Sequence, residues 1–314
     1  MASDGLPGVG APGPARQSPG IREHFVELVV QSIINGLIQG GFFALFAVGL
    51  VLIFGVMGVV NFAHGELVMV GAYTVWLVHA QYGLGYIPTL GLAILVVTAI
   101  GLLMERFLFR PTSNDPLAGL ICSIGVLFLL QVVATLIGGD GPSKQVPPPY
   151  HGTLVFFDVL RIPTQRLFGL GISTLALITL WYFLTRTRLG WALRAVALDR
   201  EAAALQGINI NHISMLAIGV GAALAGLAGG LMAPLTNINP HMGHNVIITA
   251  FIVTIVGGVG SLSGAVFAAI IYALFHTFVT VYFGGTVATI CGLILMVLVL
   301  IVRPSGIMGV RVSE

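Results

Sequence analysis

The chain reads RTRLGWALRAVALDREAAALQGIN from Arg186 to Asn209. This is the only long polar interruption of its second half, and it sets Arg186, Arg188, Arg194 and Arg200 against Asp199 and Glu201. Sequence on either side is apolar enough to sit in lipid. Trp191, Ala195, Leu198, Ala202 and Leu205 recur at spacings of four, three, four and three. That period predicts one amphipathic helix, with an apolar stripe beside Arg194, Arg200 and Glu201 and a C-terminal stop at Gly207. A short helix held between two membrane spans cannot bury such a stripe within itself, so it lies on the bilayer surface or in a groove of another protein. Amphipathicity does not choose between the two. The small side chains Ala192, Ala195, Ala202, Ala203 and Ala204 favour close docking in a groove.

Hydrophobic residues fill 57% of the 314 positions and charged residues only 8%, against about 25% charged in a soluble domain. With a mean hydropathy of +1.03, the chain reads as an integral membrane protein with several spans. A nucleotide-binding loop needs a Gly-rich turn followed by Lys and Ser or Thr, because the lysine neutralises phosphate charge. The single lysine, Lys144, stands in GPSKQVP, which is no such loop. Any ATP hydrolysis therefore takes place on another chain. Cys122 and Cys291 lie far apart in apolar segments, as packing residues do, and imply no disulfide or metal framework.

Residues 1–24, rich in Pro and Gly and without the apolar core of a signal peptide, are expected to form a disordered cytoplasmic tail, with 310–314 as a short C-terminal tail. The apolar stretch from Phe25 to Met57 exceeds the roughly 20 residues that cross a bilayer. Gly40 and Gly41 divide it, giving either one long tilted helix or two shorter ones. Further apolar segments follow to Val302, so the fold class is an all-α polytopic membrane protein with about 8–10 transmembrane helices, some broken. Basic residues are retained on the cytoplasmic side. Arg106 and Arg110, the Arg186–Arg200 cluster, and Arg303 and Arg311 share that side if Phe25–Met57 crosses twice, and Arg16 and Arg22 then join them. This favours ten crossings with both ends in the cytoplasm. The connection 138–167, stiffened by Pro147–Pro149, would then be external, either as a solvated loop or as a surface for a soluble binding protein.

NFAHGE, from Asn61 to Glu66, is the most polar cluster closely flanked by apolar sequence. An ionisable side chain within a span costs about 2.5 kcal/mol or more, so His64 and Glu66 face protein or a water-filled path. Equally, Asn61 caps the following helix and Glu66 occupies its first turn. The two readings are compatible, since a helix that starts at the midplane both needs a cap and lines a cavity. A second interruption, GGVGSLSGA from Gly257 to Ala265, suits an unwound connection and adds Gly257, Gly258, Gly260, Ser261 and Gly264 to the path candidates. Paired with Ile53–Gly58 it fits an internal repeat, although close packing through small residues explains the glycines as well. GVGAALAGLAGG, from Gly219 to Gly230, reads as a packing face. His241 and His244 have no carboxylate or cysteine beside them in sequence, so they read as external hydrogen-bonding groups and no metal site is assigned.

Three stretches, GWALRAVALDREAAALQGIN, NPHMG with GGVGSLSGA, and GVMGVVNFAHGELVMVGAY from Gly55 to Tyr73, occur in the order found in the H-type membrane permease of branched-chain amino acid ATP-binding cassette importers. The chain resembles that family from about Val26 to Gly309. The resemblance implies a transmembrane permease domain over 25–309, multi-pass in a bacterial inner membrane, that is not an enzyme and holds no cofactor. It implies a second, M-type permease, two ATP-binding subunits and a periplasmic substrate-binding protein as partners, with membrane lipid around them and no nucleic acid. It makes 186–209 the cytoplasmic coupling segment, with Gly190, Arg194, Ala195, Asp199, Ala203, Gly207 and Ile208 as the residues coupling to the ATPase. One departure stands out: Thr249 precedes Ala250 and Phe251 where many members carry a basic residue. The solute is therefore a branched-chain amino acid (leucine, isoleucine or valine) or, alternatively, urea or a short amide. A self-contained ion-coupled secondary transporter would need buried ionisable relays, for which Glu66 is nearly the sole candidate. An intramembrane enzyme would need a nucleophile and base, and no such set occurs in the sequence.

Overall fold

The computed structural model describes residues 21–113, 115–138, 143–156 and 160–309. It opens with α1 (Ile21–Met57), α2 (His64–Val75) extended by a π-helical turn over Trp76–Gln81, α3 (Tyr86–Met104) extended likewise over Glu105–Phe109, and α4 (Pro116–Gly138). An antiparallel hairpin of β1 (Thr153–Phe156) and β2 (Leu160–Pro163) follows, with Thr153 opposite Pro163. Next come α5 (Thr164–Arg186), α6 (Arg188–Leu198), α7 (Arg200–Leu205) and α8 (Ile210–Met232). The chain continues through α9 (Met242–Gly257), α10 (Leu262–Phe283) and α11 (Gly285–Val302).

Among the described residues, seven helices are long and apolar enough to cross a membrane: α1, α3, α4, α5, α8, α10 and α11. Two shorter passes complete the alternation, α2 with its π-helical extension and the 16-residue α9. The molecule is a multi-pass helical membrane protein, as the apolar runs predict.

Of the two readings of Phe25–Met57, the single long helix holds and the division at Gly40 and Gly41, on which ten crossings depended, does not occur. α1 is one helix of 37 residues, and the two glycines serve as contact points. A Cβ on Gly40 would lie 3.2 Å from Ile270 Cα of α10, and one on Gly41 2.7 Å from Ser173 Oγ of α5. Without aqueous hydrophobic pressure between spans, small residues that let backbones approach supply the packing. One crossing here instead of two places the start of α1 on the side opposite Arg303, so the ends of the described chain do not share a side. Residues 1–20 and 310–314, expected as tails, lie outside the described residues, and 21–24 belong to α1.

α1, α2, α8 and α9 form the buried centre, with Leu45, Ala47, Met69, Ala225 and Val253 closed off from the surroundings. Gly71 and Gly226 bring α2 against α8, as expected of the glycine-rich Gly219–Gly230 stretch. The outer helices keep apolar faces open, for instance at Leu129 of α4, Leu175 of α5 and Val297 of α11, as lipid-solvated helices do. On one side of the bundle Lys144 pairs through its backbone with Ile238. On the other, α6 and α7 lie across the end of α1, where Arg200 Nη1 reaches the Met57 carbonyl at 3.5 Å.

Candidate functional site

The single helix predicted over 191–205 is two. Asp199 adopts an extended conformation (φ −152°, ψ 110°) and both ends α6 and starts α7, its Oδ1 accepting from Ala202 N at 2.9 Å. An aspartate at an N-cap satisfies an amide that the helix start leaves unpaired. Thr187 caps α6 in the same way, accepting from Gly190 N at 3.0 Å. Of the predicted stripe, Trp191, Leu198 and Leu205 are exposed to 63%, 81% and 87% and Ala202 is exposed as well, whereas Ala195 packs partly buried against the core. Leu193 and Val196 point inward and anchor α6 to the bundle.

Of the proposed coupling residues, Gly190 is pressed against the Phe183 carbonyl and Leu184, leaving no room for a Cβ. Ala203 is buried. Gly207 holds a left-handed φ of 82° that ends α7, and Ile208 packs on the core. Arg194 is exposed beside the Trp191 ring, 6.0 Å from its centroid, and Ala195 is half-buried. Gly190, Asp199, Ala203 and Gly207 thus shape the element, while the side chains it offers outward are Trp191, Arg194, Leu198 and Leu205.

The NFAHGE motif folds into the centre. Asn61 Oδ1 accepts from Ala63 N at 3.0 Å, so it closes the turn before α2 and does not cap the helix itself. His64 Nε2 donates to the Phe46 carbonyl at 2.9 Å, tying α2 to the middle of α1. Glu66 is in the first turn of α2 and fully buried. Its Oε1 accepts from Gln131 Nε2 at 3.0 Å, and the same amide donates to His244 Nδ1 at 3.1 Å. His244 is 3.5 Å from Glu66 and half-exposed, so the histidine predicted at the external surface also reaches inward to the carboxylate. Glu66 further abuts Gly243 in the first turn of α9, where the positive end of the helix dipole favours a negative charge. Asn61, His64 and Glu66 are all closed off from solvent, and their contacts join α1, α2, α4 and α9.

The second glycine-rich break ends α9 and starts α10. Gly257 and Gly264 face each other with no room for a Cβ on either. Gly258 and Gly260 carry φ values of 103° and 83°, and Ser261 caps α10 by accepting from Gly264 N at 3.1 Å. Gly260 and Ser261 border a cavity of about 450 Å³ beneath α6, shared with Leu180 and Leu193. The two sequence interruptions meet there: a Cβ on Gly55 would lie 3.7 Å from Ala197 of α6 and 3.9 Å from Gly260 Cα.

Sequence reading missed Gln131 and the partnership of His244 with Glu66. An amide in the middle of the apolar α4 was the available signal, since a span seldom carries one without a partner.

Among the described residues, the site thus belongs to a multi-pass helical membrane bundle with seven long apolar helices, from one end of which a capped helix pair offers apolar side chains. The family described as branched-chain amino acid transport system / permease component matches residues 32–303. The chain is 34% identical over 294 residues to the high-affinity branched-chain amino acid transport system permease protein BraD of Pseudomonas aeruginosa, covering 89% of this chain and 95% of the relative. Its identity to the LivH permease protein of the Escherichia coli K12 system is 32% over 295 residues, with the same coverage. To the LivM permease protein of Salmonella typhimurium it is 29% over 296 residues, covering 85% of this chain and 67% of the relative. No solved structure matches. The chain belongs to the branched-chain amino acid transport permease family.

Proposed function

We propose that this chain is a transmembrane permease subunit of an ATP-binding cassette importer in a bacterial inner membrane, carrying branched-chain amino acids inward. The observation that carries this reading is the α6–α7 pair. It sits on the side of the arginine clusters, rests on the end of α1, and holds Trp191, Leu198 and Leu205 outward. A large apolar side chain held in water at a capped helix pair marks a surface that another protein covers. Its partners in this proposal are a second, M-type permease, two ATP-binding subunits and a periplasmic binding protein that delivers the solute. The likeness to BraD, LivH and LivM permease proteins of branched-chain amino acid transport systems supports the solute class and the pairing of H- and M-type chains.

The mechanism follows from where α6 is seated. Ala197 lies by Gly55 of α1, and the cavity beneath α6 is walled by α1, α5 and the Gly260–Ser263 turn. Closure of the ATP-binding pair would pull α6 and shift the ends of α1, α5 and α10 together, opening the path on one side as it closes on the other. Gly190, Arg194, Ala195, Asp199, Ala203, Gly207 and Ile208 act in this proposal by giving the element its shape and its outward charge.

The test is leucine uptake into proteoliposomes holding this chain with its M-type partner, ATPase subunits and binding protein. Uptake should require ATP and every subunit. Uptake by this chain alone, driven by an ion gradient, would overturn the proposal.

A further inference from the structure

Two cavities lie end to end along the face of α9 that its neighbours leave open. The outer, of about 520 Å³, is lined by Gln39, Phe43, Asn245, Thr249, His276 and Thr286 among others. The inner, of about 460 Å³, is lined by Leu50, Phe54, Phe62, Phe251, Leu293 and Met296 among others. The walls are continuous. α1 contributes Gln39, Phe43 and Phe46 to the first and Leu50 and Phe54 to the second, at the three- and four-residue steps of one helix face. α11 does the same with Thr286 and Thr289, then Leu293 and Met296. Together they make one furrow down the bundle, polar in the half where α11 begins and apolar in the half nearer α6.

Gln39 lies within the apolar span of α1, and the side chains of Gln39, Asn245 and Thr249 make no hydrogen bond among the described residues. Such groups turned to hydrocarbon would remain unsatisfied at a cost of several kcal/mol each, so this half of the furrow holds water or solute. Its lining contains no Asp, Glu, Lys or Arg. A solute of net charge would find no counter-charge there, whereas the two charges of a zwitterion balance each other. Amide and hydroxyl groups both donate and accept, so they suit an ammonium and a carboxylate alike. Phe43, Phe46 and Ile290 add an apolar wall for an aliphatic side chain. The volume falls within the roughly 300–1,000 Å³ of small-molecule sites.

We propose that this furrow is the chain's half of the solute path and that its outer compartment binds a small zwitterion with an aliphatic side chain. The gate is the aromatic pair in the wall of the inner compartment. Phe62 and Phe251 meet edge to face there, with ring centroids 5.2 Å apart, and an apolar constriction of this kind excludes water and ions. The second permease closes the open side of the furrow. Thr249, the departure from the family pattern, lies in the outer wall, where a basic residue would give the compartment a net charge. This inference rests on the permease reading and deepens it.

The experiment uses the complete importer in proteoliposomes, with Cys122 and Cys291 replaced by alanine and Thr249→Cys or Ile255→Cys introduced. A water-soluble methanethiosulfonate should modify Thr249→Cys, and leucine-loaded binding protein should slow that reaction fivefold or more. Ile255→Cys, in the inner compartment, should resist the reagent until ATP is added. Asn245→Leu with Thr249→Val should lower leucine uptake tenfold or more, while Thr179→Val on the exposed face of α5 should leave it unchanged. Modification of Thr249→Cys only by a lipid-soluble maleimide, modification unaffected by leucine, or unchanged uptake in the double variant would overturn the furrow as the path. Those results with intact ATP-dependent uptake by the parent importer count against the furrow alone, whereas loss of ATP dependence in the parent counts against the permease reading.

Discussion

Glu66 of α2 and Gly243 of α9 touch: a Cβ on Gly243 would lie 2.5 Å from the Glu66 carboxyl carbon. The contact puts a buried carboxylate at the start of α9, with Gln131 Nε2 holding its Oε1. Gly243→Ala should therefore lower the thermal midpoint of the purified protein in detergent, by the roughly 1–3 kcal/mol that overpacking costs. Adding Glu66→Ala should recover part of that loss, because the second change removes the atoms with which the first collides. A double variant whose loss is the sum of the single losses would show that the two residues do not share this contact.

Leu198 and Leu205 offer a different kind of test, since both side chains are largely exposed. Leu198→Glu with Leu205→Glu should leave the thermal midpoint within a degree or two of the parent and abolish co-purification of the ATP-binding subunit. Asp199→Ala should act through stability, costing about 1 kcal/mol for the lost cap on α7, and should weaken the same association less. Full association in the leucine double variant would remove α6–α7 as the docking element.

How far these features were legible in the sequence depends on whether the deciding contact was local. The apolar runs, the outward stripe through Trp191, Leu198 and Leu205, and the packing face at Gly219–Gly230 are periodic signals, and the helices follow them. The break at Asp199 was also locally written, as an N-cap residue at the head of REAAAL, but the continuous apolar spacing across it concealed the change of direction. Gly40 and Gly41 show the opposite limit. A glycine pair reads equally as a helix break or as a contact point, and only Ile270 and Ser173, more than a hundred residues away in sequence, decide between them. The partnership of Glu66 with Gln131 and His244, and the placing of Gln39 and Asn245 on one cavity, are likewise products of tertiary packing. Each involves an amide in an otherwise apolar run, a signal that marks a residue without naming its partner.

The α9–α10 turn yields a third prediction. Gly257 and Gly264 close it backbone to backbone, and a Cβ on Gly257 would lie 2.6 Å from the Gly264 carbonyl. The turn also holds the C-terminal segment, since Ile307 N donates to the Val256 carbonyl at 2.9 Å and Met308 N to the Gly257 carbonyl at 3.1 Å. Gly257→Ala should thus loosen both the turn and the residues after α11. Limited proteolysis beyond Arg303 should be faster in this variant, whereas Gly91→Ala, at an open surface of α3, should leave the rate unchanged. Equal rates in the two variants would contradict the coupling of turn and tail.

Tyr86 fastens the opposite end of the bundle. Its hydroxyl donates to the Gly230 carbonyl of α8 at 3.0 Å and accepts from Gln165 Nε2 of α5 at 3.1 Å, all within buried surroundings. Tyr86→Phe keeps the ring contacts with Tyr150 and Phe168 but leaves a buried carbonyl and a buried amide unpaired, a cost of about 1–3 kcal/mol. Gln165→Leu removes the amide itself, so adding it to Tyr86→Phe should cost less than it does alone. Thermal unfolding of the two single variants and the double variant in detergent measures this directly. Strict additivity would mean that α3, α5 and α8 are held at this end by the aromatic packing alone, because a shared hydroxyl cannot be lost twice.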